Sequence, residues 1–226
     1  MKDFFSNLNQ SQVEAVNYLY GPLLVLAGAG TGKTTVLTSR IANLVATGAS
    51  LPGQIMAVTF TNKAAAEMKE RISDLLQIEA ALVNIGTFHS ISAKLLRRYA
   101  HLAGLNSNFI IIDLEDQVNI IKKVQELKKI DIKEYPAKKI AFIISSWKDK
   151  ALNPEDVHSS LLYNDIAHQA FEVYKVYQNN LRELNAVDFG DLILLLINLL
   201  KSNDAVLAEL TRQIQFILVD EYQDTN

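Results

Sequence analysis

The 226-residue chain contains no cysteine. That excludes disulfide scaffolds, zinc ribbons, iron–sulfur clusters and thiol nucleophiles together, and it fits a reducing compartment such as the cytoplasm. Glycine and proline are scarce, at 9 and 4 residues, which excludes collagen-like repeats and low-complexity linkers. No apolar run is long enough for a bilayer span of about 20 residues; the most apolar, Leu192–Leu200, is broken by Asn198. The first residues, MKDFFSNLNQ, lack the apolar centre of a signal peptide. A soluble cytoplasmic protein without membrane contact is expected. A large excess of one charge is also missing, the net being −3. The distribution is less even: residues 91–150 carry a net +5 and residues 151–226 a net −8. The basic segment either faces phosphates or is a set of solvated helix faces. Lys122, Lys123, Lys128 and Lys129 are its candidates for duplex DNA.

What is present is an apolar content of 49%, sufficient for a sizeable core. The first ninety residues repeat a strand–turn–helix pattern. Leu23–Ala27 (LLVLA) precedes helical spacing over 33–45. Ile55–Val58 precedes a helical stretch at Ala64–Leu76, and Val83–Ile85 precedes another at Phe88–Leu102. Such units predict a parallel sheet with crossover helices. Phe109–Ile112 (FIII) reads as one more short strand. From Asp113 to Asn185 the pattern is helical, with Asp113 as an N-cap and Pro136 and Pro154 at helix starts. Asp188–Lys201 reads as an apolar helix, and Phe216–Val219 (FILV) as a last strand ending in Asp220-Glu221.

Residues 27–34 read AGAGTGKT. This is the phosphate-loop pattern GxxxxGK[ST] with Ala27 in place of the first glycine. Gly28, Gly30 and Gly32 let the backbone turn its N–H groups toward phosphate oxygens. Ala27, Ala29 and Thr31 complete the cradle, and the following helix adds its positive end. Lys33 neutralises the β- and γ-phosphates, and Thr34 offers a hydroxyl to Mg²⁺. The loop therefore predicts a nucleoside triphosphate, with ATP and Mg²⁺ as cofactors. Such a loop also needs a carboxylate at a neighbouring strand end to hold the metal. Asp220 has that form, Glu221 beside it suits a general base on water, and Gln223 suits orientation of that water. Lys33 and Asp220 are 187 residues apart. More than a hundred mainly helical residues lie between the third strand–helix unit and Asp220, which predicts a helical insertion into the phosphate-loop core.

The order of these segments resembles the N-terminal region of the UvrD/Rep-type DNA helicases of superfamily 1, over essentially the whole chain. Leu8-Asn9 with Gln12 is similar to the family's adenine-reading segment. Val58–Met68 (VTFTNKAAAEM) matches its single-stranded DNA segment, and Gly86–His89 (GTFH) its next DNA motif. Ala186–Leu192 (AVDFGDL) resembles the one after that, and Ile217–Asn226 (ILVDEYQDTN) the magnesium and water motif. The resemblance implies that Phe60 stacks on a base, that Thr61 and Asn62 bond sugar or phosphate, and that Thr87, Phe88 and His89 touch DNA. By position alone, Phe60 and Phe88 also read as core aromatics and His89 as a structural histidine. Thr35 departs from the family, whose members often carry there an arginine that packs on adenine; a threonine cannot stack.

The resemblance implies a RecA-like core with a parallel sheet, incomplete at the C-terminal end, in residues 1–90 and 187–226, and a helical insertion in 91–186. It implies an ATP-dependent 3′–5′ helicase acting on single-stranded and forked DNA in repair or replication. It implies also that this chain is a truncated part, able to bind nucleotide but not to unwind DNA without a missing C-terminal half. Two other readings stay open: a short nucleotide- or DNA-binding module without catalysis, and the helicase part of a recombination helicase–nuclease.

Overall fold

The computed structural model describes residues 5–28, 30–76 and 82–225. The elements in chain order are α1 (Gln10–Asn17), α2 (Lys33–Ala46), β1 (Ile55–Thr59), α3 (Asn62–Leu76), β2 (Asn84–Thr87), α4 (Phe88–Arg98), β3 (Ile110–Ile111), α5 (Leu114–Lys128), α6 (Ala137–Asp149), α7 (Asp165–Glu183), β4 (Ala186–Val187), α8 (Phe189–Ser202), α9 (Asp204–Gln213) and β5 (Phe216–Val219). The chain divides into two compact units. One runs up to Ile91 and resumes at Ala205–Thr225; the other is Ser92–Asp204.

The first unit is built on a parallel sheet of order β2–β1–β5. Ala57, Val58 and Thr59 of the central strand β1 are buried in succession, the pattern of a parallel strand covered on both faces. Helix α3 begins where the Thr61 hydroxyl accepts from the Ala64 N–H at 3.1 Å. It buries Ala65, Met68 and Ile72, a stripe at spacings of three and four. These pack with Ile41 and Leu44 of α2 and with Ile55, Ala57 and Ile85 of the sheet. Each of the larger side chains contributes about 1.5–3 kcal/mol by leaving water.

The turn from β2 into α4 is made by side chains. The Thr87 N–H donates to Ser90 Oγ at 2.8 Å, and the Ser90 N–H donates to Thr87 Oγ1 at 3.2 Å. Gly86 is required there, since a Cβ would stand 2.5 Å from Ser90 Oγ.

In the second unit, α5, α6 and α7 share a core that includes Ile121, Ile140, Ile144, Trp147, Tyr174 and Tyr177. Asp113 caps α5 by accepting from the Asp116 N–H at 2.9 Å. The short strands β3 and β4 pair in parallel, Ile110 opposite Ala186. Asp188 and Asp191 form a capping box at the start of α8.

The chain is thus a mixed α/β protein with a parallel sheet and many helices. Four details differ from expectation. Leu23–Ala27 makes no strand ladder among the described residues, and Leu24 and Leu26 are exposed. An apolar run becomes a strand only by bonding to a neighbour in register, and this run makes no such ladder. Pro154 opens a single 3₁₀ turn, Pro154–Asp156, rather than a helix. Helix α9 went unread, its ten residues being too few for a strong periodic signal. Residues 187–204, grouped with the core in the sequence reading, lie in the compact unit of the helices.

Candidate functional site

The strand register assembles the site. Thr59 of β1 pairs with Thr87 of β2, and Val58 pairs with Val219 of β5. The carboxyl ends of three adjacent strands are therefore level, and they lead directly into Phe60, Phe88 and Asp220. Ligands of open parallel sheets bind along this edge.

The glycine-rich turn precedes α2. Gly30 and Gly32 have φ of +73° and +87°, a left-handed backbone that L side chains adopt at a cost. Gly32 is also approached closely, since a Cβ there would meet Gln12 Nε2 at 3.0 Å. Gln12 ties α1 to the turn: its Nε2 donates to the Thr31 carbonyl at 2.9 Å, while its Oε1 accepts from the Asn9 N–H at 2.8 Å. Thr31 Oγ1 donates to the Gly28 carbonyl at 2.8 Å. Lys33 Nζ folds over the turn and donates to the carbonyls of Gly28 at 3.1 Å and Ala27 at 3.3 Å. Ala29 lies outside the described residues.

The acidic strand end meets this turn. Thr34 Oγ1 donates to Asp220 Oδ2 at 3.4 Å, across 186 residues of sequence. Asp220 is buried and fixed from both sides. Its N–H donates to the Val58 carbonyl at 2.8 Å, continuing the β1–β5 ladder by one residue, and its Oδ1 accepts from the Glu221 N–H at 3.1 Å. Glu221 has φ +49° and ψ +52°. That left-handed conformation costs about 1–3 kcal/mol in a non-glycine residue and recurs at functional sites. Glu221 lines the same cleft as Lys33, and Gln223 Nε2 donates to Glu221 Oε2. The cleft measures about 250 Å³ and is lined by Gly30, Gly32, Lys33, Thr34, Thr35, Arg71 and Glu221.

The paired hydroxyl and carboxylate suit a small, hard cation. Mg²⁺ takes oxygen ligands at about 2.0–2.1 Å, keeps several waters, and needs only one or two protein carboxylates beside substrate phosphates. Thr34 and Asp220 are close enough to share one ion, and no cluster of three or more His, Cys, Asp or Glu side chains occurs among the described residues.

Further along the edge, Phe60 is 64% and Phe88 40% exposed. The two aromatics leave adjacent strands, which lie about 4.8 Å apart in a sheet. They are not core residues. Asn62 is exposed at the first turn of α3, and His89 is half-buried. The hydroxyls of Thr61 and Thr87 both serve as helix caps, so these two residues shape the edge as well as border it.

Sequence reasoning missed two charged residues. Arg71, on α3, lines the cleft although no motif singles it out. Lys148, counted in the basic segment, is fully buried. Its Nζ donates to Asp188 Oδ2 at 2.6 Å and to Asp191 Oδ1 at 2.7 Å. Tyr177 Oη and Gln178 Nε2 donate to the same carboxylates at 2.8 and 2.9 Å. The carboxylates of AVDFGDL therefore face inward, and only Phe189 of that motif is exposed. Desolvation raises the Asp191 carboxyl above the usual range; Lys148 opposes this and Asp188 adds to it.

Comparison with known proteins bears on the whole chain. Residues 8–226 match the family model described as UvrD/REP helicase N-terminal domain. A "probable DNA helicase II homolog" of Rickettsia felis is 48% identical over 227 residues, covering 100% of this chain and 34% of that protein. An "ATP-dependent DNA helicase PcrA" of Bacillus subtilis is 43% identical over 221 residues, covering 98% and 30% respectively. One of Leuconostoc citreum is likewise 43% identical, over 98% of this chain and 30% of its own length. The chain spans about a third of the length of these relatives.

Proposed function

The chain belongs to the UvrD/REP helicase N-terminal domain family, and we propose that it forms the RecA-like, ATP-binding part of a DNA helicase that couples hydrolysis to 3′–5′ movement on single-stranded DNA and to opening of forked duplexes. In this reading the sheet-bearing unit is the core and the helical unit its insertion. The longer protein works in repair or replication in the cytoplasm, and this chain alone binds nucleotide without unwinding. No helix among the described residues is long and apolar enough to cross a membrane.

The observation that carries the reading is the meeting of Thr34 and Asp220 beside the turn that Lys33 covers. The residues then have distinct tasks. Backbone N–H groups of Gly28–Thr34 receive the phosphates, with the N-terminus of α2 behind them. Lys33 exchanges its loop carbonyls for phosphate oxygens. Thr34 and Asp220 hold Mg²⁺, which when bound neutralises charge on the β- and γ-phosphates. Glu221 accepts a proton from the attacking water, and Gln223, bonded to Glu221, fixes its carboxylate. Gln12, with Thr35 nearby, closes the adenine end. Phe60 and Phe88 offer stacking faces to bases, and Asn62 with Thr61, Thr87 and His89 flanks the strand's backbone.

The metal assignment is tested by titrating ATP into the chain with Mg²⁺ and with EDTA. Asp220→Asn should weaken Mg-ATP binding about tenfold, by loss of one charged ligand contact worth about 1.5 kcal/mol, while leaving metal-free ATP binding as it was. An unchanged magnesium dependence would remove Asp220 from the metal. Phe60→Ala should weaken binding of oligo(dT) by about 1–3 kcal/mol in fluorescence anisotropy. Because Phe60 is largely exposed, the melting temperature should stay within about a degree or two of wild type. A large drop in melting temperature with DNA affinity retained would make Phe60 a packing residue instead.

A further inference from the structure

We infer that Thr59 is a positioning residue for DNA, its hydroxyl fixing the turn that presents the Phe60 ring; this rests on the reading of Phe60 as a base-stacking residue above. Thr59 closes the central strand β1 and is 1% exposed. The residues before it, Ala57 and Val58, are apolar and buried. Such a strand favours valine, which has nearly the shape of threonine without the polar atom. A buried hydroxyl costs stability unless it is bonded. This one is bonded: Thr59 Oγ1 donates to the Thr61 carbonyl at 3.0 Å.

The bond closes over Phe60. Thr59 is held on one side of it by the ladder, opposite Thr87. Thr61 is held on the other side by the first turn of α3: its carbonyl accepts from the Ala65 N–H at 3.0 Å, and its Oγ1 accepts from the Ala64 N–H at 3.1 Å. The Thr59 hydroxyl ties these two fixed points together across one residue. The start of α3 does not need this bond, because Thr61 caps the helix with its own side chain. What the bond restrains is the backbone of Phe60, and with it the direction of a ring that is 64% exposed. On an unrestrained turn an exposed ring samples many directions, and binding a base then costs the ordering of that turn. A turn set in advance avoids this cost.

The test uses the whole chain, with fluorescence anisotropy on oligo(dT) and calorimetry with Mg-ATP. Thr59→Val should weaken oligo(dT) binding roughly fivefold to tenfold, the loss of one backbone residue ordered in advance, and leave Mg-ATP affinity unchanged. Thr59→Ser, which keeps the hydroxyl, should bind oligo(dT) as wild type does. In a Phe60→Ala background Thr59→Val should cause no further loss, because a residue that acts only through the ring is silent once the ring is gone. An equal loss in both backgrounds would overturn the positioning role, and so would a parallel loss of Mg-ATP affinity. If Thr59→Val melts below the assay temperature, Thr59→Ala takes its place beside Thr59→Ser and is read in the same way. Unchanged oligo(dT) affinity on loss of the hydroxyl, with affinity lost in Phe60→Ala, would overturn the role of Thr59 and leave the stacking reading standing. Unchanged affinity in Phe60→Ala would overturn the stacking reading and this inference with it.

Discussion

Lys148→Ala should destabilise the helical unit by about 3–5 kcal/mol, the usual cost of removing one partner from a buried ion cluster. The cause lies in what remains. Asp188 and Asp191 are both buried, and Lys148 is the cation between them. Without it, the two carboxylates keep, among the described residues, neutral donors: Tyr177, Gln178, Gln117 and the α8 backbone. These groups come from α5, α7 and α8, so the loss is felt where the helices of the unit meet the start of α8. Gly190 allows this packing, since a Cβ on it would stand 3.0 Å from the Lys148 side chain.

The pH dependence has a definite sign. A carboxyl whose folded pKa lies above its unfolded value binds a proton in the folded state that the unfolded state has released. Stability then falls as pH rises between the two values. Asp191 is already raised by burial, and deleting Lys148 removes the charge that holds it down. The deficit of the variant should therefore be smallest near pH 4, about the ordinary aspartate value, and grow toward neutrality. Urea unfolding followed by circular dichroism at several pH values measures this. A deficit below about 1 kcal/mol at every pH would mean that water reaches the cluster. The triple change Lys148→Met, Asp188→Asn, Asp191→Asn should recover much of the loss, because no uncompensated buried charge is left.

Lys33→Ala should weaken Mg-ATP binding by about 3 kcal/mol, roughly a hundredfold. Among the described residues the amine is the cation bonded to the glycine-rich turn, within 3.3 Å of two of its carbonyls. Alanine leaves the N–H groups of the turn in place but removes the charge that balances the terminal phosphates. Both bonds that Lys33 makes are at the surface, so stability should change by no more than about 0.5 kcal/mol. Calorimetric titration gives the affinity and a thermal melt gives the stability. Equal affinity in the variant would contradict the assignment of this turn to phosphate.

Legibility differed from element to element. Helices α2, α3, α5 and α8 could be read because each carries a periodic apolar stripe and, for α5 and α8, an aspartate at the N-cap. Strands β1, β2 and β5 could be read as short apolar runs. The run at Leu23–Ala27 looked the same and makes no ladder among the described residues, because pairing depends on a partner far away in sequence. Phe60 and Phe88 were ambiguous for a related reason: only the register that puts Thr59 beside Thr87 shows that both side chains leave the sheet at one edge. Lys148 was counted with surface lysines, since nothing local distinguishes a lysine that will meet two aspartates forty residues on.

The amino-acid sequence by itself carried the glycine-rich turn, the acidic strand end, the resemblance to the family and the alternation of helix and strand. All of these rest on contiguous residues whose backbone freedom, periodicity and capping act locally. The tertiary structure decided which distant groups share a site: Thr34 with Asp220, Arg71 with the cleft, and Lys148 with two buried carboxylates. Those pairings follow from strand register and helix packing, which bring together residues that no spacing along the chain relates.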